Sequence, residues 1–324
     1  MRTRFRSISS WSLAGVLGLS LMATGCGQYS FSALAAKKSI KEAHEAYKAS
    51  KWTEAAQKYE SAINGDPTLR GARFFLANSY DNLYKPSRAG EPENDAYMKK
   101  AIEWYKNAAE NEPDAIYKQR SMQYLVAAYG PDKLNQPDQA EPIVKRMIEL
   151  DPGEYLNYLE LSKIYENAGR YDEAEAMLVK AREIKPKQPE VYAALSAFYN
   201  RQGEFDKTVE ALNTAADLQP ENPQGYQLVA VFYWEKAFKD KRLTVAQQND
   251  YIAKGIEASD KALKLNPDYI DALTFKNILL RLQGNNEKDL KKREALFKEA
   301  DELRNKATEL NKKKASAAAA APAK

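Results

Sequence analysis

The chain holds one thiol and one imidazole, Cys26 and His44, and that scarcity bounds its chemistry from the start. A metal centre needs several nitrogen or sulfur donors converging, and His44 has no second histidine and no nearby cysteine to join it. Its place beside Tyr47 on a helical stripe marks it as a packing or surface residue. The sequence contains no G-x-S-x-G, no glycine-rich phosphate loop and no H-E-x-x-H. Carboxylates are plentiful, as at Glu173 and Glu175, but their Lys and Arg neighbours give the pattern of a solvated helix face. A glycosidase-like acid pair stays open from sequence alone, since its two members can be distant in the chain. The chain reads as a non-enzyme with no cofactor and no metal.

The elements that position the remaining side chains follow from a period. Pro152, Pro186 and Pro220 stand 34 residues apart. Tyr158, Leu161, Ser162, Tyr165, Gly169, Tyr171, Ala174, Leu178 and Ala181 precede Pro186. Tyr192, Leu195, Ser196, Tyr199, Gly203, Phe205, Thr208, Leu212 and Ala215 precede Pro220 in the same places. Tyr158, Leu161 and Tyr165 lie at helical intervals and form an apolar stripe. Gly169 supplies the backbone freedom that ends the first helix, and Pro186 ends the second. One such hairpin cannot bury its apolar face alone, so the unit recurs and stacks.

The pattern persists outward with insertions. The first unit has Ala43, Tyr47, Trp52, Ala55, Tyr59, Ala62 and Pro67. The second, Leu76 to Pro113, holds extra residues near 85–95, where Pro86, Gly90 and Pro92 predict a loop. The third, Met122 to Pro152, is a weaker match. The sixth, Tyr226 to Pro267, also carries extra residues, and Thr244 with Gln247 reads as a capping box that starts its second helix early. A seventh begins at Ala272 and Leu273 and turns near Gly284. It ends in a long helix with Leu296, Ala300, Leu303, Ala307 and Leu310 on one face, read as a cap for the last open hairpin in preference to a coiled-coil seam.

The W-x-x-L-G-x-x-Y … A-x-x-x-F … P spacing, with Tyr for Trp and Ser for Gly, resembles the tetratricopeptide repeat (TPR). The resemblance implies an all-α, right-handed superhelical solenoid of six to seven helical hairpins over 36–311, closed by a carboxy-terminal capping helix. It also implies a scaffold that binds a protein or peptide in a concave groove lined by the first helix of each hairpin. Carried onto this chain, the groove positions are Phe74, Asn78, Asn82, Gln123, Lys163, Glu166, Asn200, Arg201, Gln227 and Trp234. Amides would bond a peptide backbone, and Phe74 and Trp234 would anchor apolar side chains unless they pack against an adjacent helix. The Lys and Asn arrangement by which chaperone-binding members clamp a terminal carboxylate is not reproduced.

The amino terminus speaks to compartment. Arg2, Arg4 and Arg6 precede an apolar run at 11–22, which is shorter than the roughly 20 residues a membrane span needs. Ala23, Thr24 and Gly25 then lead directly into Cys26. The arrangement resembles the lipobox of bacterial lipoproteins, with Ala23 where that motif usually has Leu. It implies a signal peptide over 1–25, acyl chains on Cys26, a tether over 26–35, and an envelope location at the outer membrane facing the periplasm. Ordinary signal-peptidase cleavage, after Gly25 or near Ala35, and an uncleaved anchor are the alternatives. The expected role is then help in assembling an outer-membrane protein, pilus or secretion machine. An adaptor for a protease or cell-wall enzyme comes second, and an enzyme acting on wall glycan a distant third.

Charge narrows the partners. There are 49 basic and 45 acidic residues, with three of the former in the amino-terminal stub. The rest are interleaved with acids, so no basic face suits a nucleic acid. The tail, 312–324, is nearly all Lys, Ala, Ser and Pro and is expected to be disordered.

Overall fold

The computed structural model describes residues 31–320, so the signal segment and Cys26 lie outside the described residues. The chain divides into two compact units, one ending at Met147 and one beginning at Ile148. Among the described residues both are all-α. Unit 1 contains α1 (Phe31–Lys48), α2 (Trp52–Gly65), α3 (Ala72–Leu83), α4 (Pro92–Asn111), α5 (Ala115–Tyr129) and most of α6 (Pro137–Leu150). Here α1 pairs with α2 and α3 with α4, while α2 packs on α3, α4 on α5, and α3 also reaches α5.

Unit 2 contains α7 (Tyr155–Asn167), α8 (Tyr171–Ile184), α9 (Pro189–Arg201), α10 (Phe205–Asp217), α11 (Pro223–Lys239), α12 (Val245–Leu265), α13 (Ile270–Asn286) and α14 (Leu290–Ala320). Consecutive helices pair as hairpins, each hairpin packs on the next, and α11 touches α13. This is the stacked-hairpin solenoid that the 34-residue period predicts.

The small residues of the repeat sit where two helices approach closely: Ala55, Ala62, Ala101, Ala108, Ala174 and Ala181 are fully buried. Gly169 and Gly203 take φ of 72° and 75°, the left-handed conformation that closes α7 and α9. At each turn the chain forms a paired cap: Gly169 N–H donates to Glu166 O and Arg170 N–H to Tyr165 O, with Gly203 to Asn200 O and Glu204 to Tyr199 O as counterparts.

Four boundaries differ from expectation. Helix α1 begins at Phe31, inside the segment read as a tether, and Ala36 is buried with Gly65 of α2 packed so near that a Cβ there would lie 2.9 Å from Ala36 Cβ. The insert at 85–95 is only partly a loop. A 3-10 turn (Pro86–Arg88) is followed by the first turn of α4, and the Asn94 side chain ties them by accepting from Lys85 N–H and donating to the Lys85 and Arg88 carbonyls. Gly284 does not make the last turn but lies inside α13, where Phe297 of α14 packs against it. Helix α14 continues to Ala320, through much of the segment expected to be unstructured. The capping box at Thr244 and Gln247 is present and starts α12. Ala300 and Ala307 are buried where α14 covers α13.

Candidate partner-binding face

The ten positions expected to line a groove separate into two kinds. In unit 1, Phe74 is buried, with its ring against Tyr117 and Tyr124 at centroid distances of 5.5 and 5.3 Å. Asn78 is also buried: its Oδ1 accepts from Tyr47 and its Nδ2 donates to the Tyr105 hydroxyl at 3.0 Å. Asn82 donates back to Asn78 at its carbonyl and side-chain oxygens, 2.8 and 2.9 Å away. Phe74 and Asn78 are interior residues, a correction with a simple cause, while Asn82 is half-buried beside them. The tyrosines of α1, α4 and α5 are large enough to close over α3, and a buried amide must be bonded. The network continues through the Tyr105 hydroxyl to Asp81, which pairs with Lys133 from the α5–α6 connection. Gln123 stays exposed, next to Tyr124.

In unit 2, Trp234 is likewise corrected. Its indole stacks on Phe238 at 5.7 Å, meets Phe275 edge-on, and packs against the core of Ala237, Ile252 and Leu279. Gln227 is half-buried on α11, and Asn200 is exposed at the end of α9.

The other three expectations converge. Lys163, Glu166 and Arg201 line one open cleft of about 520 Å³ together with Asn167, Tyr171 and Gln202. Arg201 of α9 grips Glu166 of α7 with two parallel bonds, Nε to Oε1 at 2.5 Å and Nη2 to Oε2 at 2.7 Å. Such a planar fork fixes both side chains and joins neighbouring hairpins. Glu166 is the more enclosed partner, with 15% of its side chain exposed against 54% for Arg201. Its hydrogen bond and charge raise the pKa of Arg201 further. Lys163 is exposed and only loosely paired, 3.3 Å from Glu160. The Tyr171 ring, half open to solvent, is the apolar wall.

Asn167, Tyr171 and Gln202 were not among the expected positions. Tyr171 stands one period before Phe205, in the repeat's interior pattern. Asn167 and Gln202 flank the glycine turns, and that flanking position was the available signal. Among the described residues no cluster of His, Cys, Asp and Glu is placed to hold a metal. No described helix is long and apolar enough to cross a membrane. The cleft's means are charge, amide hydrogen bonding and one aromatic surface.

The tetratricopeptide repeat family model matches residues 133–198 and 167–232 of the chain. No curated protein sequence matches. A tetratricopeptide repeat protein from Parabacteroides merdae ATCC 43184 superposes with a TM-score of 0.47 at 13% identity, covering 86% of this chain and 98% of its own. A crystal structure of MamA gives a TM-score of 0.41 at 22% identity, with 63% and 98% covered. YrrB, described as a TPR protein with an unusual peptide-binding site, gives 0.41 at 19% identity, with 59% and 93% covered.

Proposed function

We propose that this chain is a tetratricopeptide-repeat scaffold that holds a polypeptide partner, with the cleft of Lys163, Glu166, Tyr171 and Arg201 as a principal point of engagement. The convergence of these side chains in an open cleft carries the reading. Each group there can contact a peptide: amides for its backbone, charges for its side chains, Tyr171 for an apolar stem. A photo-crosslinking residue placed at Gln202 should capture one polypeptide in intact cells. Adding Lys163→Glu and Arg201→Glu should abolish that adduct. An unchanged adduct would remove the cleft from the reading.

The membrane half of the proposal rests on sequence. A basic stub, a short apolar run, small residues and the chain's sole cysteine at position 26 support acylation of Cys26 and tethering in a bacterial envelope, at the outer membrane facing the periplasm. Several acyl chains, at about 0.8 kcal/mol per buried CH₂, suffice for a stable anchor. The scaffold then serves the assembly of an envelope complex, such as an outer-membrane protein, pilus or secretion machine. Cys26→Ser should move the protein from the membrane pellet to the soluble fraction after a salt wash.

A further inference from the structure

On the reading that the cleft between α7, α8 and α9 receives a polypeptide, we infer that the group it selects is a carboxylate: an Asp or Glu side chain in an acidic segment of the partner. Glu166 is the one carboxylate lining the cleft, and Arg201 occupies both of its oxygens. A cationic ligand therefore meets a carboxylate whose charge Arg201 already balances.

Part of the backbone's acceptor capacity is taken as well. Helices end with unpaired carbonyls that attract cations. At the ends of α7 and α9, however, the glycine turns fold N–H groups back onto the carbonyls of Tyr165, Glu166, Tyr199 and Asn200.

Donors are what remain. The guanidinium carries five N–H groups, and the Nε–Nη2 edge is committed to Glu166, which leaves the Nη1 side directed away from that carboxylate. Lys163 extends its ammonium into solvent with two-thirds of its side chain exposed, and its pair with Glu160 is the weak surface kind. Glu166 acts through Arg201 as a positioning residue: it holds the guanidinium plane so that little side-chain entropy is lost when a ligand docks. Each of the two cations keeps N–H groups beyond its ion pair, enough to meet one carboxylate between them. Flanking cations do not enlarge the field, because Arg170 is paired with Glu173, and Lys207 with Glu175 and Glu204.

The test uses the intact chain and three short fluorescent peptides of equal length, built on Gly and Ser with added Asp and Glu, with added Lys and Arg, or with no charge. Binding is read by anisotropy and by the Arg201 Nε–Hε resonance. The acidic peptide should bind and shift that resonance, more weakly as salt is raised. Arg201→Gln should weaken it by about tenfold or more, and Arg201→Lys should fall between, because the charge survives and the fork does not. Lys180→Gln, which removes a cation paired with Glu183 outside the cleft, should change nothing. Equal binding of the basic or uncharged peptide, or acidic binding that survives Arg201→Gln, would overturn the carboxylate assignment while leaving a peptide site in place. If none of the three binds, the assignment also fails, and the crosslink at Gln202 then decides separately whether the cleft holds a polypeptide at all.

Discussion

Glu112 is a fully buried carboxylate at the end of α4. Its Oε1 accepts the Gly71 N–H at the start of α3, and its Oε2 has no hydrogen-bond partner. Burial pushes its pKa up, against the pull of the Gly71 bond and Arg73, with Asp114 adding to the rise. The folded state therefore holds the proton more tightly than the unfolded chain does. Stability contributed by the protonated form is complete below the ordinary value of 4.5 and is lost as pH rises through the folded value. Glu112→Gln should flatten this dependence, so melting temperatures of variant and parent should diverge in the variant's favour from acid to neutral pH. Ser50 gives a second test. It takes a φ of 56° at the turn after α1, with the same paired cap that Gly169 and Gly203 make. Ser50→Gly should stabilise by about 0.5–1 kcal/mol, read by denaturant titration, because the left-handed conformation costs a Cβ-bearing residue. The two glycine turns were legible because their residue type names their conformation. The burial of Phe74 and Asn78 was not, because repeat position gives a helix face while the size of neighbours, here Tyr47, Tyr105 and Tyr117, decides whether that face is open.

At the level of elements, the extra residues of both large insertions lengthen helices. The early start of α12 was readable from Thr244 and Gln247, since a capping box is a local signal. Thr244→Ala should cost about 1 kcal/mol in thermal or chemical unfolding. The early start of α4 was obscured by Pro92, which suggests a loop yet is well suited to the first helical position. The helical continuation to Ala320 has a related cause: Ala and Lys are good helix formers, and α14 is already nucleated upstream. Gly284 is instructive in a different way. A Cβ there would lie 2.8 Å from Phe297 Cε1, so this glycine sets how closely α14 covers α13. Gly284→Ala should destabilise by about 1–3 kcal/mol despite its better helix propensity, with the loss visible as faster amide exchange in α13 and α14.

For the molecule as a whole, packing must supply the stability, because a chain with one cysteine forms no internal disulfide. Stability in stacked repeats is local to each hairpin and its neighbours. The Asp81–Lys133 pair inside unit 1 shows where that matters, with side chains 7% and 25% exposed. Asp81→Asn strands Lys133 and weakens the Tyr105 bond, and should cost about 2–3 kcal/mol. Hydrogen exchange should quicken in α3 to α5 and stay unchanged in α9 and α10, whereas a protein with one undivided core would loosen everywhere.

The same first hairpin contains its own spectroscopic label. His44 Nδ1 shares a 2.6 Å hydrogen bond with the Tyr59 hydroxyl, and its ring lies edge-on to Tyr59 and Phe75, so it reads the junction of α1, α2 and α3. With no other imidazole in the sequence, its carbon-bound ring protons form a single unambiguous pair of lines in a proton spectrum of the untagged chain. Their chemical shifts would follow the loosening of this end of the array, or the arrival of a partner beside it, without isotope enrichment or an attached dye.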